Sequence, residues 1–143
     1  MEFTTEEISG LFDKWMDTRD YYKNEGGDFE QGKCQAYSEV LTATGNLVDK
    51  KMEEHINELL DKGVNEQDIV GREDMTVKFT EEEIRELFNE WLELKEHYRD
   101  KEGDLEQGKH QAYDEVLDDI SNLVDNKKKK QIMEQMEKQG LFD

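Results

Sequence analysis

The chain contains few side chains of the types that carry covalent or metal chemistry. Its single cysteine, Cys34, and one of its three histidines, His110, hold matching positions in two similar stretches, GDFEQGKCQAYSEVL and GDLEQGKHQAYDEVL. Nucleophilic catalysis needs a base beside the nucleophile, and no histidine recurs at a matching position to supply one. Glu106 and His110 are one helical turn apart, as metal ligands often are, but the other stretch offers Glu30 and Cys34 instead. We therefore expect no catalytic residue, no metal and no cofactor.

Acidic side chains are the most numerous of the other groups that could bind a partner. The 38 Asp and Glu residues against 19 Lys and Arg give a formal net charge of -19. A surface of this sign repels nucleic-acid phosphates and anionic membranes, because binding to either depends on Lys and Arg. The composition therefore predicts a protein partner with a basic surface, with no direct binding of nucleic acid and no membrane association.

A row of these acids is predicted on the first helix of each half of the chain. A helical residue rises about 1.5 Å, and duplex DNA carries one charge per about 1.7 Å of axis, so helical carboxylates can match phosphate spacing. The residues predicted to form this partner-binding acidic face are Asp13, Asp17, Asp20, Glu25, Glu90, Glu93, Glu96 and Asp100. Solubility is the competing explanation, because a strong net charge also keeps ordinary proteins apart.

Four cations fall inside the apolar stripes of the predicted helices. They are Arg19, Lys33, Lys95 and Lys109. In one interpretation their aliphatic stems cover the core while their charged heads reach nearby acids such as Asp20 or Glu30. In the other they line a small anion pocket, with Gln35 and Gln111 as further hydrogen-bond donors.

An internal repeat contains all of these residues. The segment from Phe3 aligns without a gap with the segment from Phe79, and about half of the positions are identical. Such self-similarity indicates a tandem duplication. We predict one helical-hairpin repeat over 1–63, a linker over 64–78 with one helical turn near 65–70, and a second repeat over 79–143.

Each repeat is predicted to be a short helix followed by a long one. Capping boxes are expected at Thr4 with Glu7, Thr80 with Glu83, Asp28 with Gln31, and Asp104 with Gln107. Phe3 and Phe79 are expected to act as hydrophobic staples at the first helices, which should end near Gly26 or Gly27 and near Gly103. Gly32 and Gly108 lie on inward faces, where we expect them to admit the first helix and its tryptophan.

The lengths of the two helices predict how the repeats pack. A second helix of about 35 residues spans about 50 Å and outruns a first helix of about 30 Å. Its apolar overhang needs cover, and the matching overhang of the other repeat is the simplest cover. The fold class predicted is therefore all-α, with the two repeats packed through their long helices. Stops are expected at Gly63-Val64 and Gly140-Leu141.

Compartment signals point to the cytoplasm. One cysteine cannot form an internal disulfide, no apolar run approaches the roughly 18 residues of a membrane span, and the N-terminus lacks a signal-peptide pattern.

A small, strongly acidic, cysteine-poor helical chain without a catalytic motif resembles the phage-encoded inhibitors of the anti-defence or DNA-mimic type. This resemblance of overall character implies a non-enzymatic protein that blocks the basic surface of a nucleic-acid-binding or defence protein. Two alternatives stay open: a helical adaptor or oligomerisation module, which would include a homo-oligomer, and a binder of phosphate or nucleotide.

Overall fold

The computed structural model describes residues 2–65, 67 and 77–140. Within them the chain is mostly helical, as the sequence predicts, and a pair of very short strands is added. The elements in chain order are β1 (Glu2–Thr4), α1 (Thr5–Lys23), α2 (Asp28–Asp61), β2 (Lys78–Thr80), α3 (Glu81–Arg99) and α4 (Asp104–Lys138). Each helix in this described part is too short or too polar to cross a bilayer. The helical turn predicted near 65–70 falls mostly outside the described residues.

The first helices begin as predicted. At the start of α1, the Thr4 hydroxyl accepts a hydrogen bond from the Glu7 backbone N–H, and the Glu7 carboxylate accepts one from the Thr4 N–H. Thr80 and Glu83 repeat the same capping box at α3. These reciprocal bonds satisfy N–H groups that the first turn of a helix leaves without a partner.

The strands β1 and β2 pair with each other in antiparallel register, with Phe3 opposite Phe79. Both phenylalanines are completely buried. Neither strand is predicted from the sequence, because three residues are too few to show the alternation of a strand. Their pairing joins the beginnings of the two repeats directly.

The long helices do not begin with the predicted capping boxes. Gly27 and Gly103 are the N-caps, and neither makes a side-chain capping bond. The Gln31 amide donates instead to the backbone carbonyl of Glu25 in the preceding turn, as the Gln107 amide does to that of Lys101. The prediction is wrong because the helix starts one residue earlier, so that Asp28 and Asp104 are already helical. The short helices end at Lys23 and Arg99, a few residues before the predicted glycines.

Gly32 and Gly108 mark the closest approach of α2 and α4. A Cβ on Gly32 would overlap the backbone carbonyl of Leu105, and one on Gly108 would overlap that of Phe29. The glycines therefore bring together the first turns of the two long helices. The prediction that they admit the first helix is wrong, because helical periodicity identifies an inward face without identifying the helix that packs on it.

Beyond the two glycines, residues farther along α2 contact residues farther along α4. The Tyr37 hydroxyl donates to Glu115, and the Tyr113 hydroxyl donates to Glu39. The segments of α2 and α4 that follow the glycines therefore run side by side and parallel.

A single cluster of buried apolar residues draws on both repeats. At its centre Trp15 and Trp91 meet edge to face, with ring centroids 5.7 Å apart and an interplanar angle of 89°. Edge-to-face contact is a favoured geometry for aromatic pairs, and both indoles are almost completely buried. The two repeats thus share one core.

The ends of the two long helices differ. As predicted, α2 stops at Gly63, which has a φ of 83°, and the N–H groups of Gly63 and Val64 bond the carbonyls of Leu60 and Leu59. Gly140 also has a positive φ, of 70°, while Leu141 lies outside the described residues.

Residues 128–138 of α4, here called the α4 overhang, are all exposed except the half-buried Met136. Ile132 and Met133 expose 55% and 58% of their surface. The prediction that the two overhangs cover each other is therefore wrong for α4. The close approach of the long helices at Gly32 and Gly108 lies at the opposite end of α4 from the overhang.

Candidate functional site

The predicted acidic residues of the first repeat lie on the outward side of α1. Asp13 and Asp17 stand two residues before and after the buried Trp15, and two residues turn a helix by about 200°. Asp20 follows within the same outward sector, and Glu25 lies just past the end of the helix. All four are exposed. We call Asp13, Asp17, Asp20 and Glu25 the α1 acidic face.

The second repeat presents an equivalent set on α3. Glu93 stands two residues after the buried Trp91, Glu96 lies in the same outward sector, and Glu90 lies to one side. Asp100 is the C-cap residue. All four are exposed. We call Glu90, Glu93, Glu96 and Asp100 the α3 acidic face.

The two acidic faces point away from each other. Trp15 and Trp91 meet in the core, and each outward carboxylate lies on the far side of its helix from the tryptophan. The eight acids that the sequence places in one set therefore form two faces on different sides of the molecule.

Neighbouring cations neutralise some of these acids. Arg19 lies 3.1 Å from the Asp20 carboxylate, and Arg99 lies 3.4 Å from that of Glu96. Within residues 2–65, 67 and 77–140, no ion pair involves Asp13, Asp17, Glu90 or Glu93. Those four residues, together with Glu25 and Asp100, carry the negative charge of the predicted set that is not paired in this part of the chain.

Lys33 is the most buried of the four interior cations, with 6% of its surface exposed. Its ammonium group donates to the Glu115 carboxylate at 2.9 Å and to the Tyr22 hydroxyl at 3.2 Å. It also lies over the rings of Tyr22 and Phe29, 4.8 and 5.5 Å from their centroids. The stem is covered as the sequence predicts, but the carboxylate comes from the other repeat and not from Asp20 or Glu30.

Glu115 completes this network by also accepting a 2.6 Å hydrogen bond from the Tyr37 hydroxyl. Partial burial alone would raise the pKa of Glu115, but the bonds from Tyr37 and Lys33 hold it below its usual range. Burial alone would lower the pKa of Lys33, whereas its bonds to Glu115 and Tyr22 raise it. Burial and the adjacent carboxylate raise the pKa of Tyr37 far above its ordinary value. The group is therefore a satisfied ion pair at neutral pH.

The other interior cations have separate surroundings. Lys95 lies 2.7 Å from the Asp114 carboxylate, Arg19 pairs with Asp20, and Lys109 lies 5.2 Å from the centroid of the Tyr98 ring. Gln35 is exposed, and Gln111 bonds Glu115 at 3.4 Å. Arg19, Lys33 and Lys95 thus each contact a different carboxylate.

A pair of lysines in the long helices was not predicted as a contact. Lys127 lies 2.7 Å from the Glu7 carboxylate, and Lys51 lies 3.0 Å from that of Glu83. Although partial burial opposes it, hydrogen bonds from the lysine and the capping threonine hold the pKa of each glutamate below its usual range. The equivalence of the lysines is visible in the repeat, but periodicity does not show that each reaches across to the other repeat.

Cys34 and His110 occupy matching positions but have different surroundings. Cys34 is half-buried, and His110 Nδ1 lies 3.1 Å from the backbone oxygen of Lys95. Among the described residues, no group of three or more His, Cys, Asp and Glu side chains is placed to hold a metal ion.

One shallow groove lies between α3 and α4, and another lies between α1 and α2. The larger, of about 280 Å³, has Ile84, Phe88 and Val124 among its lining residues. The smaller, of about 210 Å³, is lined by residues that include the equivalent Ile8, Phe12 and Val48. The lining of the larger groove also includes Glu81, Arg85, Ser121, Asp125 and Lys128, and Arg85 is paired with Glu81 at 3.2 Å.

Comparisons of this chain with protein-family models, with curated proteins and with solved structures each found no match. The function is therefore inferred from the surface itself.

Proposed function

We propose that this protein is a non-enzymatic acidic binding protein that blocks a basic surface of a protein partner. The observation that carries the proposal is the set of exposed carboxylates Asp13, Asp17, Glu90 and Glu93, which lack an ion pair within the described part of the chain. The partner class is a nucleic-acid-binding or defence protein, met in the cytoplasm. The protein would act as an inhibitor or DNA mimic of the phage-encoded type.

The spacing of the carboxylates supports this proposal. Asp13, Asp17 and Asp20 follow each other at four and three residues, which places them about 6 and about 4.5 Å apart along the axis of α1. A rigid helix holds these charges in place without the entropy cost of ordering a loop. A basic groove that binds regularly spaced phosphates can be met by such a row.

The division into two acidic faces refines the proposal. A single concave site would contact the α1 acidic face or the α3 acidic face, because the two point to different sides. We therefore propose two similar binding faces, one in each repeat, which can engage two basic elements of one partner or two partner molecules.

We further infer that this arrangement arose by tandem duplication of a helical hairpin, with the repeats packed through their long helices. The gapless alignment of the repeats supports the inference, as do the matched capping boxes and the reciprocal contacts of Gly32 and Gly108. Duplication provides two faces from one ancestral face.

The alternative of a phosphate or nucleotide binder receives less support. Lys33, Lys95 and Arg19 already contact carboxylates, which leaves less positive charge for a bound anion. Their arrangement fits buried stems with paired heads.

The test is capture of a partner with three baits from bacterial and phage-infected lysate, followed by mass spectrometry. The baits are the wild type, a face variant with Asp13, Asp17, Glu90 and Glu93 changed to Lys, and a matched control. The control changes the exposed Glu53, Glu54, Glu58 and Asp61 to Lys, so that its net charge equals that of the face variant. We expect a basic protein captured by the wild type and the control but not by the face variant. Equal capture by all three baits would contradict the proposal.

A further inference from the structure

The α4 overhang exposes apolar side chains that the other described residues do not cover. Every residue from Lys128 to Gln135 is exposed, and among them Ile132 and Met133 are more than half exposed. The equivalent part of α2 exposes fewer apolar residues, since Met52, Ile56 and Leu59 are only partly exposed and Leu60 alone exposes as much as 41% of its surface. An exposed apolar cluster on one helix end therefore needs its own explanation.

Helix geometry shows that the core cannot supply the cover. At about 100° per residue, Ile132, Met133 and Met136 fall on one side of α4. That side lies roughly opposite the stripe of Ile120 and Val124, which packs toward the core. A straight helix cannot turn both sides toward the same body, so the core formed by residues 2–65 and 77–140 cannot cover this side.

The charge of the α4 overhang indicates which kind of molecule would cover its apolar side. In a chain with a net charge of -19, this segment carries four lysines against only two glutamates, Glu134 and Glu137. The lysines Lys128, Lys129 and Lys130 precede the apolar residues, and both glutamates come after Met133. A helix with this order is complementary in charge to an antiparallel copy of itself.

We propose that the α4 overhang pairs in antiparallel orientation with the α4 overhang of a second copy of this chain. About a midpoint next to Met133, Lys130 of one copy lies level with Glu137 of the other, and both residues lie on the same edge of the apolar side. Ile132, Met133 and Met136 of the two copies then cover one another. Antiparallel pairing also places the two acidic bodies at opposite ends, which reduces their mutual repulsion.

Such an interface is isologous, so it closes at two copies and does not extend into a filament. It leaves the α1 and α3 acidic faces uncovered, and it doubles the number of faces held in one particle. The inference does not depend on the proposed function, because it rests on the apolar and charged residues of the overhang alone.

Sedimentation velocity of the full chain over a range of concentrations tests the pairing. We expect a reversible monomer-dimer equilibrium for the wild type. Changing Ile132 and Met133 to Glu should weaken dimerisation about tenfold or more, because two apolar side chains per copy lose their cover. The control Leu92→Glu changes an exposed apolar residue of α3 and should leave the equilibrium unchanged. A wild type that stays monomeric at its highest soluble concentration would overturn the proposal.

A charge swap tests the antiparallel register. Lys130→Glu alone and Glu137→Lys alone should each weaken dimerisation, since each places like charges level with one another across the interface. The double variant should restore it, because the two substituted side chains would again carry opposite charges where they face each other across the interface. Circular dichroism confirms that the variants stay helical. A double variant as weak as the sum of the two single ones would refute this register.

Discussion

The two repeats have nearly the same sequence around Lys33 and Lys109, yet the two lysines have different surroundings. Lys33 is buried, hydrogen-bonded to a carboxylate and placed over two aromatic rings. Lys109 is only half-buried and lies over the single ring of Tyr98. One of the rings over Lys33 belongs to Phe29, and Leu105 occupies the equivalent position in the second repeat. The two repeats share their backbone geometry, but a difference at a single position, such as Phe29 and Leu105, changes the side-chain contacts nearby.

A second difference involves the central tryptophans. The Trp15 indole N–H donates to the Asp119 carboxylate at 3.0 Å, and Lys14 lies 2.6 Å from the same carboxylate. Ala43 occupies the position equivalent to Asp119, so that position offers Trp91 no acceptor. The two repeats therefore allow internal comparisons, because the residue substituted in one repeat has an equivalent position in the other.

The largest effect is expected where the repeats are most alike. Gly32→Ala and Gly108→Ala should each destabilise the fold by about 3 kcal/mol or more, because the new methyl group would meet backbone atoms that cannot move aside. Gly45→Ala is the matched control, since a Cβ there has no neighbour within 4 Å. It should stabilise the helix by about 0.5–1 kcal/mol. Chemical denaturation measures all three changes.

An equal, small effect of Gly32→Ala and Gly45→Ala would show that α2 and α4 do not pack through the glycines.

The next effect tests the difference between the two lysine sites. Glu115→Gln should cost about 1–3 kcal/mol, because it leaves the buried Lys33 with a weaker, uncharged acceptor. Glu39→Gln should cost less, because Glu39 accepts from Tyr113 and no ion pair of Glu39 is found within the described residues. Equal costs for the two variants would mean that the sites do not differ in energy. Free energies of unfolding at neutral pH decide the matter.

The contribution of Glu115 to the stability of the fold should depend on pH. The folded-state pKa of Glu115 is lowered from its ordinary value of 4.5, so its contribution to stability is present above that value. The contribution is lost as the pH falls through the lowered pKa, because the protonated carboxyl no longer pairs with Lys33. The stability difference between wild type and Glu115→Gln should therefore be constant near neutral pH and shrink below about pH 4.5. A difference that grew on acidification would contradict the ion pair.

The smallest effect concerns the tryptophan pair. Asp119→Ala should cost about 1 kcal/mol, because it removes the acceptor of the buried Trp15 indole and gives the site the residue found at Ala43. Asp118→Ala, at the exposed neighbouring position, should change stability very little. The tryptophan emission wavelength reports whether the indole environment changes. An Asp119→Ala variant as stable as the wild type would show that the hydrogen bond from Trp15 to Asp119 adds no net stability.

The sequence predicts local features of this fold well. The capping boxes at Thr4 and Thr80, the apolar stripes of the four helices and the stop at Gly63 all depend on residues within a few positions of one another. Such signals can be read along the chain. The strands at Phe3 and Phe79 could not be predicted in this way, because the hydrogen-bonding partner of each strand lies in the other repeat.

The capping boxes predicted at Asp28 and Asp104 are a local error, because each long helix starts one residue earlier, and long-range contacts account for the other errors. Periodicity places Gly32 and Lys33 toward the interior, but it does not say that the other long helix lies there or that Glu115 supplies the carboxylate. The candidate acidic residues were exposed as expected, yet their division between two faces depends on the meeting of Trp15 and Trp91. A stripe on one helix contains no information about the direction in which another helix faces.

The most direct test of the proposed function is the salt dependence of binding to the captured partner. For the wild type, the affinity should fall steeply as ionic strength rises, because exposed charges drive the association and salt screens them. The face variant, with Asp13, Asp17, Glu90 and Glu93 changed to Lys, should bind more weakly and with a flatter dependence. The control with Glu53, Glu54, Glu58 and Asp61 changed to Lys should keep the steep dependence at equal net charge. A face variant with the affinity and salt slope of the wild type would contradict binding through the acidic faces.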